Sequence, residues 1–341
     1  MSHANFRVFV NGLAMFIAVS VAASGCRPTE REAYELRPET TQLSHELRSL
    51  VEKTLIERTG TRANPRLLGA DDTLSDHLRL GADVFARLCQ GCHGVTGDGN
   101  GPAAKYLDPR PRDYRSGIFK FTSTPYGMKP RQEDLVRTIR KGIYGTSMPS
   151  FALLPDEELR AVVDYVLALT HRGELEILLA STAEADEELA EETVDELADS
   201  ILVQWENARS LAVDPLTPMP VEFSPEMIAA GKQAFLTKGC SKCHGEDGRG
   251  QTRENVGVDA WGQKTFAADL TSGMLHGGAG PLDIYRRISS GINGTPMPSF
   301  RDALSSEADT IWQLVSYVMH VSAQRRQGNY PEFAQVVPAA P

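Results

Sequence analysis

The chain has 341 residues, of which 41% are hydrophobic and 23% charged, and its formal net charge is −10. These are globular values, and the length accommodates two domains with an additional segment. The acidic balance argues against a nucleic-acid partner, since phosphate binding draws its affinity from Lys and Arg.

Residues 1–25 read as a secretory signal peptide. Arg7 gives a positive start, and the apolar run 13–23 is 11 residues, the length of a signal core and short for a membrane span. It leads into Ala23-Ser24-Gly25-Cys26. Small residues directly before a cysteine resemble a bacterial lipoprotein cleavage box, although leucine usually stands where this chain has Ala23. Acylation of Cys26 would anchor the chain to a membrane. Cleavage nearby and an uncleaved short anchor are the other readings, and all three put the remaining chain on the extracytoplasmic side. Residues 26–76 are polar and broken by Pro28, Pro38 and Pro65, the composition of a tether, with a helix expected over 43–58.

A short helix is expected next, because Leu80, Val84 and Leu88 recur at i, i+4 and i+8. It runs into Cys89-Gln90-Gly91-Cys92-His93, and the same pentapeptide pattern returns as Cys240-Ser241-Lys242-Cys243-His244. C-x-x-C-H is the attachment signature of c-type haem. Each thiol can add to a haem vinyl group, and the adjacent histidine reaches the iron. A redox dithiol, a zinc site and a structural disulfide are the competing uses of a C-x-x-C pair. A redox dithiol and a disulfide leave the histidine after both pairs unexplained, and paired zinc ligands lie close in sequence whereas Cys92 and Cys240 are 148 residues apart.

A second repeat element follows each cluster. Gly142-Ile143-Tyr144-Gly145-Thr146-Ser147-Met148-Pro149-Ser150-Phe151 matches Gly291-Ile292-Asn293-Gly294-Thr295-Pro296-Met297-Pro298-Ser299-Phe300 at eight of ten positions. Met148 lies 55 residues after His93, and Met297 lies 53 after His244. A thioether is a soft neutral iron ligand, and His/Met ligation raises haem potential. Met128, Met274, His276 and His320 are rival ligands, with His276 the strongest rival to Met297.

Each repeat closes with a helix. Pro155 and Asp156, Glu157 and Glu158 suit a first turn, followed by the stripe Leu159, Val162, Val163 and Val166. Ser306 and Asp309 suggest the corresponding cap before Ile311, Leu314, Val315 and Val318. Between the repeats, residues 174–208 hold 12 acidic residues and no lysine or arginine. Ala190, Val194, Leu197, Ile201, Trp205 and Ala208 recur there with helical period, so an acidic amphipathic helix is expected, either packed on a neighbouring domain or used for docking. Residues 211–225 carry Pro215, Pro218, Pro220 and Pro225, a linker composition. No stretch alternates with period two, so no sheet is expected.

Taken together, these motifs make the chain resemble the class I cytochromes c, in tandem, over residues 77–170 and 224–325. The resemblance implies an all-α fold: two cytochrome c-like helical domains joined by an acidic helical linker (171–223), with a tail at 326–341. It implies two haem c groups bound through Cys89, Cys92, Cys240 and Cys243, with iron ligated by His93 and Met148, and by His244 and Met297. It also implies that Gly81 and Gly231 let the first helix of each repeat press on the last, beside Phe85 and Phe235 and the matched Tyr165 and Tyr317. A backbone carbonyl from a proline-containing loop usually orients the histidine. The first repeat offers Pro102, Pro109 and Pro111, whereas 245–280 contains no proline and its 261–270 loop must supply the carbonyl differently. Tyr114, Phe119 and Phe121, and Trp261 and Phe266, are candidate walls of the two sites. Arg112 and Lys264 are candidate propionate partners.

Charge is unevenly spread. Residues 105–141 hold ten basic and four acidic residues, against five and six in 245–296. This basic stretch either steers an acidic partner or is neutralised within the chain. The expected role is electron transfer with a redox protein or respiratory complex as partner, and no enzymatic activity. A diheme peroxidase and a haem-bearing subunit of a larger respiratory complex are the alternatives.

Overall fold

A computed structural model of the chain describes residues 34–250 and 257–326. The signal segment 1–25, Cys26 and the tail 327–341 lie outside the described residues. The regular secondary structure of the described residues is almost wholly helical, and the chain forms a single compact unit from Tyr34 onward.

The first repeat is built on helices α3 (Ser75–Leu88), α4 (Gln90–His93), α5 (Gln132–Lys141) and α6 (Asp156–Asp186). Gly81 brings α3 against α6 so closely that a methyl group there would overlap the Ala161 carbonyl. Phe85 then meets Tyr165 edge-on, with ring centroids 5.4 Å apart. The second repeat uses α8 (Pro225–Thr237), α9 (Cys240–His244), α10 (Pro281–Ser290) and α11 (Thr310–Arg326) in the same order. Ser224 caps α8 by accepting the Met227 N–H, and Pro225 occupies the first turn, where its missing N–H costs nothing. Gly231 lies on the Gln313 carbonyl as Gly81 lies on Ala161, and Phe235 meets Tyr317 at 5.1 Å.

The segment before the first repeat is more than a tether from Tyr34 onward. A one-turn helix α1 (Pro38–Thr41) precedes α2 (His45–Thr59), which Ser44 caps through the Leu47 N–H. Val51 and Leu55 of α2 are fully buried with Leu175, Leu179 and Ala183 of α6. Burial of each such branched side chain is worth about 1.5–3 kcal/mol, so α2 is part of the core. Tyr34 is buried too and shares a hydrogen bond of 3.3 Å with Tyr165.

The acidic segment is not one helix. Its first part, 174–186, is the tail of α6, which runs 31 residues until Glu187 adopts a left-handed conformation. The chain then turns back into α7 (Glu191–Arg209), whose Val194, Ala198, Ile201 and Trp205 join the core of α2 and α6. Packing, not a free docking face, therefore accounts for the apolar stripe. The proline-rich stretch after α7 is laced to the second repeat: Tyr285 Oη accepts the Leu216 N–H, and Trp312 Nε1 donates to the Thr217 carbonyl. The expectation of no sheet fails only at a two-residue antiparallel ladder, β1 (Gly257–Val258) with β2 (Lys264–Thr265), Gly257 opposite Thr265.

Candidate haem sites

Each cysteine cluster is a single helical turn. In α4 the Cys89 carbonyl accepts the N–H groups of Cys92 and His93, at 3.1 and 2.9 Å. This turn holds the two thiols and the imidazole on one short segment. In both repeats the histidine carbonyl then accepts from a glycine six residues on, Gly99 at 2.9 Å and Gly250 at 2.8 Å. No disulfide joins the thiols of Cys89, Cys92, Cys240 and Cys243. Burial, with a smaller contribution from the neighbouring thiol, pushes Cys89 and Cys240 up to about 11. A reactive dithiol requires the opposite shift. Among the described residues no three His, Cys, Asp or Glu side chains converge to hold a metal ion, which leaves the zinc reading without a site.

The two methionine loops share one hydrogen-bonded frame. Met148 and Met297 each accept, through their carbonyls, an N–H at 3.1 Å from Ile143 and Ile292. Thr146 Oγ1 donates to the Ile143 carbonyl at 2.8 Å and accepts the Met148 N–H at 3.1 Å. Thr295 does the same for Ile292 and Met297, at 2.8 and 3.2 Å. Ser150 and Ser299 tie the far side of each loop to the preceding helix, donating to the Arg140 and Ser289 carbonyls. Gly142 and Gly291 leave α5 and α10 at φ +68°, where a side chain would also strike the loop backbone. These contacts account for the opening glycine and for the isoleucine, threonine, methionine and serine that the two decapeptides share.

The surroundings of the two histidines differ. His244 Nδ1 bonds the Ala268 carbonyl at 3.1 Å, within the proline-free loop. His93 Nδ1 is buried and has no hydrogen-bond partner. The proline-containing loop of the first repeat therefore does not supply the expected carbonyl. Burial lowers the pKa of both imidazoles, and the Ala268 carbonyl opposes this at His244. Neutral imidazole is the form that ligates iron. Tyr114 lies beside His93, ring centroids 5.7 Å apart, and stacks on Phe119 at 6.0 Å. Phe119 leads to Trp205, and Trp205 to His171 at 4.9 Å. Phe266 is largely exposed.

The repeats meet each other around the methionine loops. Asn293 of the second loop is buried, accepting the Gly127 N–H at 2.9 Å and donating to the Met128 carbonyl at 3.3 Å. Its counterpart Tyr144 is 70% exposed. Asp259, buried, receives Arg112 at 2.9 Å and Lys120 at 3.2 Å. Trp261 Nε1 donates to the Asp113 carbonyl, and the Arg112 and Lys120 cations stand over its ring. Arg287 reaches the carbonyls of Lys120 and Thr122. Trp261 thus belongs to the seam between repeats, and Arg112 pairs with a carboxylate of the other repeat. His276 faces the first methionine loop rather than the second: a Cβ on Gly145 would stand 3.2 Å from its Nε2. The basic stretch is neutralised largely inside the chain, by Asp259, by Asp283 against Arg137, and by Glu174 against Lys129. Asp259 and Asn293 carry no motif of their own, and only the Tyr144/Asn293 mismatch within the repeated decapeptide marks one of them.

The chemistry of this donor set fits covalent haem. It offers unbridged thiol pairs on a helical turn, a half-buried imidazole with lowered pKa beside each pair, and a duplicated loop carrying a soft thioether.

Comparison with known proteins agrees. Residues 76–166 match the family described as cytochrome c oxidase, cbb3-type, subunit III, and residues 228–322 match the family described as cytochrome c. The chain is 23% identical over 198 residues to the cbb3-type cytochrome c oxidase subunit CcoP of Helicobacter pylori; the match takes in 57% of this chain. It spans 43% of the length of that curated relative. A chain of the reducing HAO-like protein complex of Kuenenia stuttgartiensis superposes with a TM-score of 0.55 at 33% identity, over 71% of this chain and 95% of that one. The protein therefore belongs to the tandem diheme class I c-type cytochromes, with two covalently bound haem c groups that serve electron transfer.

Proposed function

We propose that this protein carries electrons as a haem-bearing member of an extracytoplasmic respiratory assembly, without bond chemistry of its own. The observation that carries the reading is the pair of methionine loops held in one hydrogen-bonded frame. Cys89 and Cys92 would attach the first haem, and Cys240 and Cys243 the second. His93 with Met148, and His244 with Met297, would be the axial ligands. Bound haem supplies a one-electron ferric/ferrous couple. The protein's part is to hold two strong ligands on each iron and so to close it to substrate. A peroxidase needs one iron with a releasable ligand, and the matching loops give no such asymmetry. Membership of an assembly draws support from the relatives, one a subunit of an oxidase and one part of a protein complex. The two cytochrome domains would span 77–170 and 224–325. The chain would be attached at the membrane through acylated Cys26 once residues 1–25 are removed.

Optical and electron paramagnetic spectra of the purified protein test this. Two low-spin haems are expected, with negligible peroxidase turnover. Met148→Ala and Met297→Ala should each convert one haem to high spin, keep the thioether attachment and lower that haem's potential, because the thioether favours ferrous iron. A high-spin haem with substantial peroxidase turnover in the unmodified protein overturns the reading.

A further inference from the structure

We infer that the first repeat holds the methionine of the second haem on its iron, with Asn293 as the positioning residue for Met297. The inference rests on the His/Met diheme reading above.

Asn293 lies within the closed loop that presents the methionine. The loop is shut at 292–297, where the Ile292 N–H donates to the Met297 carbonyl at 3.1 Å. Thr295 braces it from within, donating to the Ile292 carbonyl and accepting the Met297 N–H. With both ends tied, residue 293 cannot shift without shifting the methionine. Its side chain reaches the other repeat. The amide oxygen accepts the Gly127 N–H at 2.9 Å, and the amide nitrogen donates to the Met128 carbonyl at 3.3 Å. Asn293 is 7% exposed, so both bonds are sheltered from water and an unmade one would be costly.

The receiving segment is itself fixed to the first repeat. The Met128 N–H closes a turn on the Pro125 carbonyl at 3.2 Å. Lys129, the next residue, is paired with Glu174 of α6, and the Arg131 N–H donates to Asp134 at 3.1 Å. Gly294 lets the two surfaces close. A Cβ there would strike the Trp261 ring and stand 3.0 Å from the Ile118 side chain of the first repeat. Its carbonyl accepts the Ala260 N–H at 2.8 Å. Tyr144, at the matching place in the first loop, is 70% exposed. A thioether favours ferrous iron, so the ferric state is where Met297 is most easily lost. A clamp anchored in the other repeat opposes that loss. It keeps the second iron six-coordinate in both oxidation states, so that an electron passes without ligand exchange.

The test uses the full haem-loaded chain, with imidazole as the probe. Imidazole reaches ferric iron only where a methionine has left, so its apparent affinity at each haem reports how firmly that methionine is held. The axial methionine methyl resonances, assigned with Met148→Ala and Met297→Ala, follow the two haems separately. Asn293→Ala should raise the apparent affinity at the second haem about tenfold, the worth of one to two buried hydrogen bonds. The first haem should be unchanged, and both ferrous methyl signals should persist. Tyr144→Ala should move neither affinity. An unmoved second haem in Asn293→Ala overturns the inference. So does an equal gain at the first haem, either in that variant or in Tyr144→Ala. Were Asn293→Ala not to fold, hydrogen exchange in the unmodified ferric protein decides: the Gly127 N–H should be protected, and its rapid exchange overturns the inference. Absence of the Met297 methyl signal from the unmodified ferrous protein would instead overturn the ligation reading itself.

Discussion

Gly81 and Gly231 show how single residues set the frame of each repeat. Neither has a positive φ; both are needed because the backbone of the closing helix occupies the space where a side chain would begin. A methyl group at Gly231 overlaps the Gln313 carbonyl, and backbone cannot yield as a flexible side chain can. Gly231→Ala should therefore destabilise the protein by about 1–3 kcal/mol, the usual cost of overpacking. Denaturant unfolding compared with Ala229→Gly, two positions away on the exposed side of α8, checks it. An unchanged midpoint in Gly231→Ala would show that α8 and α11 can slide apart. This role is legible in the sequence, because a glycine with an aromatic four residues later stands eight residues before one cysteine cluster and nine before the other. The unpartnered nitrogen of His93 is not, since it depends on where a carbonyl of another loop comes to rest.

At the scale of elements, the join between α6 and α7 carries the largest departure from expectation. The first domain was expected to close at residue 170, yet α6 continues to Asp186 without a break. Gly173, a residue that usually interrupts helices, sits inside it because the backbone of Arg115 packs there. Two residues earlier His171 is buried with neither ring nitrogen hydrogen-bonded, against Trp205 of α7. Burial, aided by the cations Lys129 and Arg209, lowers its pKa to about 3. Glu174 also faces this junction, paired with Lys129 and accepting from Trp205 Nε1 at 2.8 Å. The folded-state pKa lies below the unfolded value near 6.5, so the unfolded chain binds the proton first. The stability contributed by neutral His171 is complete above about pH 6.5 and is lost as pH falls toward 3, on the order of a few kcal/mol. Urea unfolding from pH 7 to pH 4 should show this loss, and His171→Phe should flatten it. An equal decline in both proteins would place the acid-sensitive group elsewhere.

The whole molecule is held together by contacts that cross between repeats, and these also dispose of the apparent basic rim. Lys120 and Arg112 converge on Asp259, and Arg137 lies 3.8 Å from Asp283. Little of the excess positive charge of 105–141 is left to steer a partner. Among the described residues no helix is long and apolar enough to cross a membrane. Attachment, on the proposed reading, falls to Cys26, and the chemistry of acylation makes it testable. A single acyl chain binds marginally and several anchor stably. Cys26→Ser should move the haem-loaded protein from the membrane to the soluble fraction on cell fractionation. Full retention in the membrane would show that residues 1–25 or a partner subunit hold it.

The haem chemistry was readable from residues alone because it is local. Two thiols and an imidazole lie within five residues, and each methionine loop is closed by hydrogen bonds to neighbours within about ten positions of it, so the pattern survives in the one-dimensional text and its duplication confirms it. The closing and opening helices were readable for the same reason, through apolar spacing and caps. What joins the parts was not. Arg112 and Asp259, Asn293 and Gly127, and Tyr34 and Tyr165 are separated by more than a hundred residues. Such pairs impose no period and no spacing on the sequence, because each side needs only a charge, an amide or a ring at one place. Their partners are chosen by how the helices pack, and only the folded chain shows that the stretch from Tyr34 is core, that the acidic segment folds back, and that the two histidines differ.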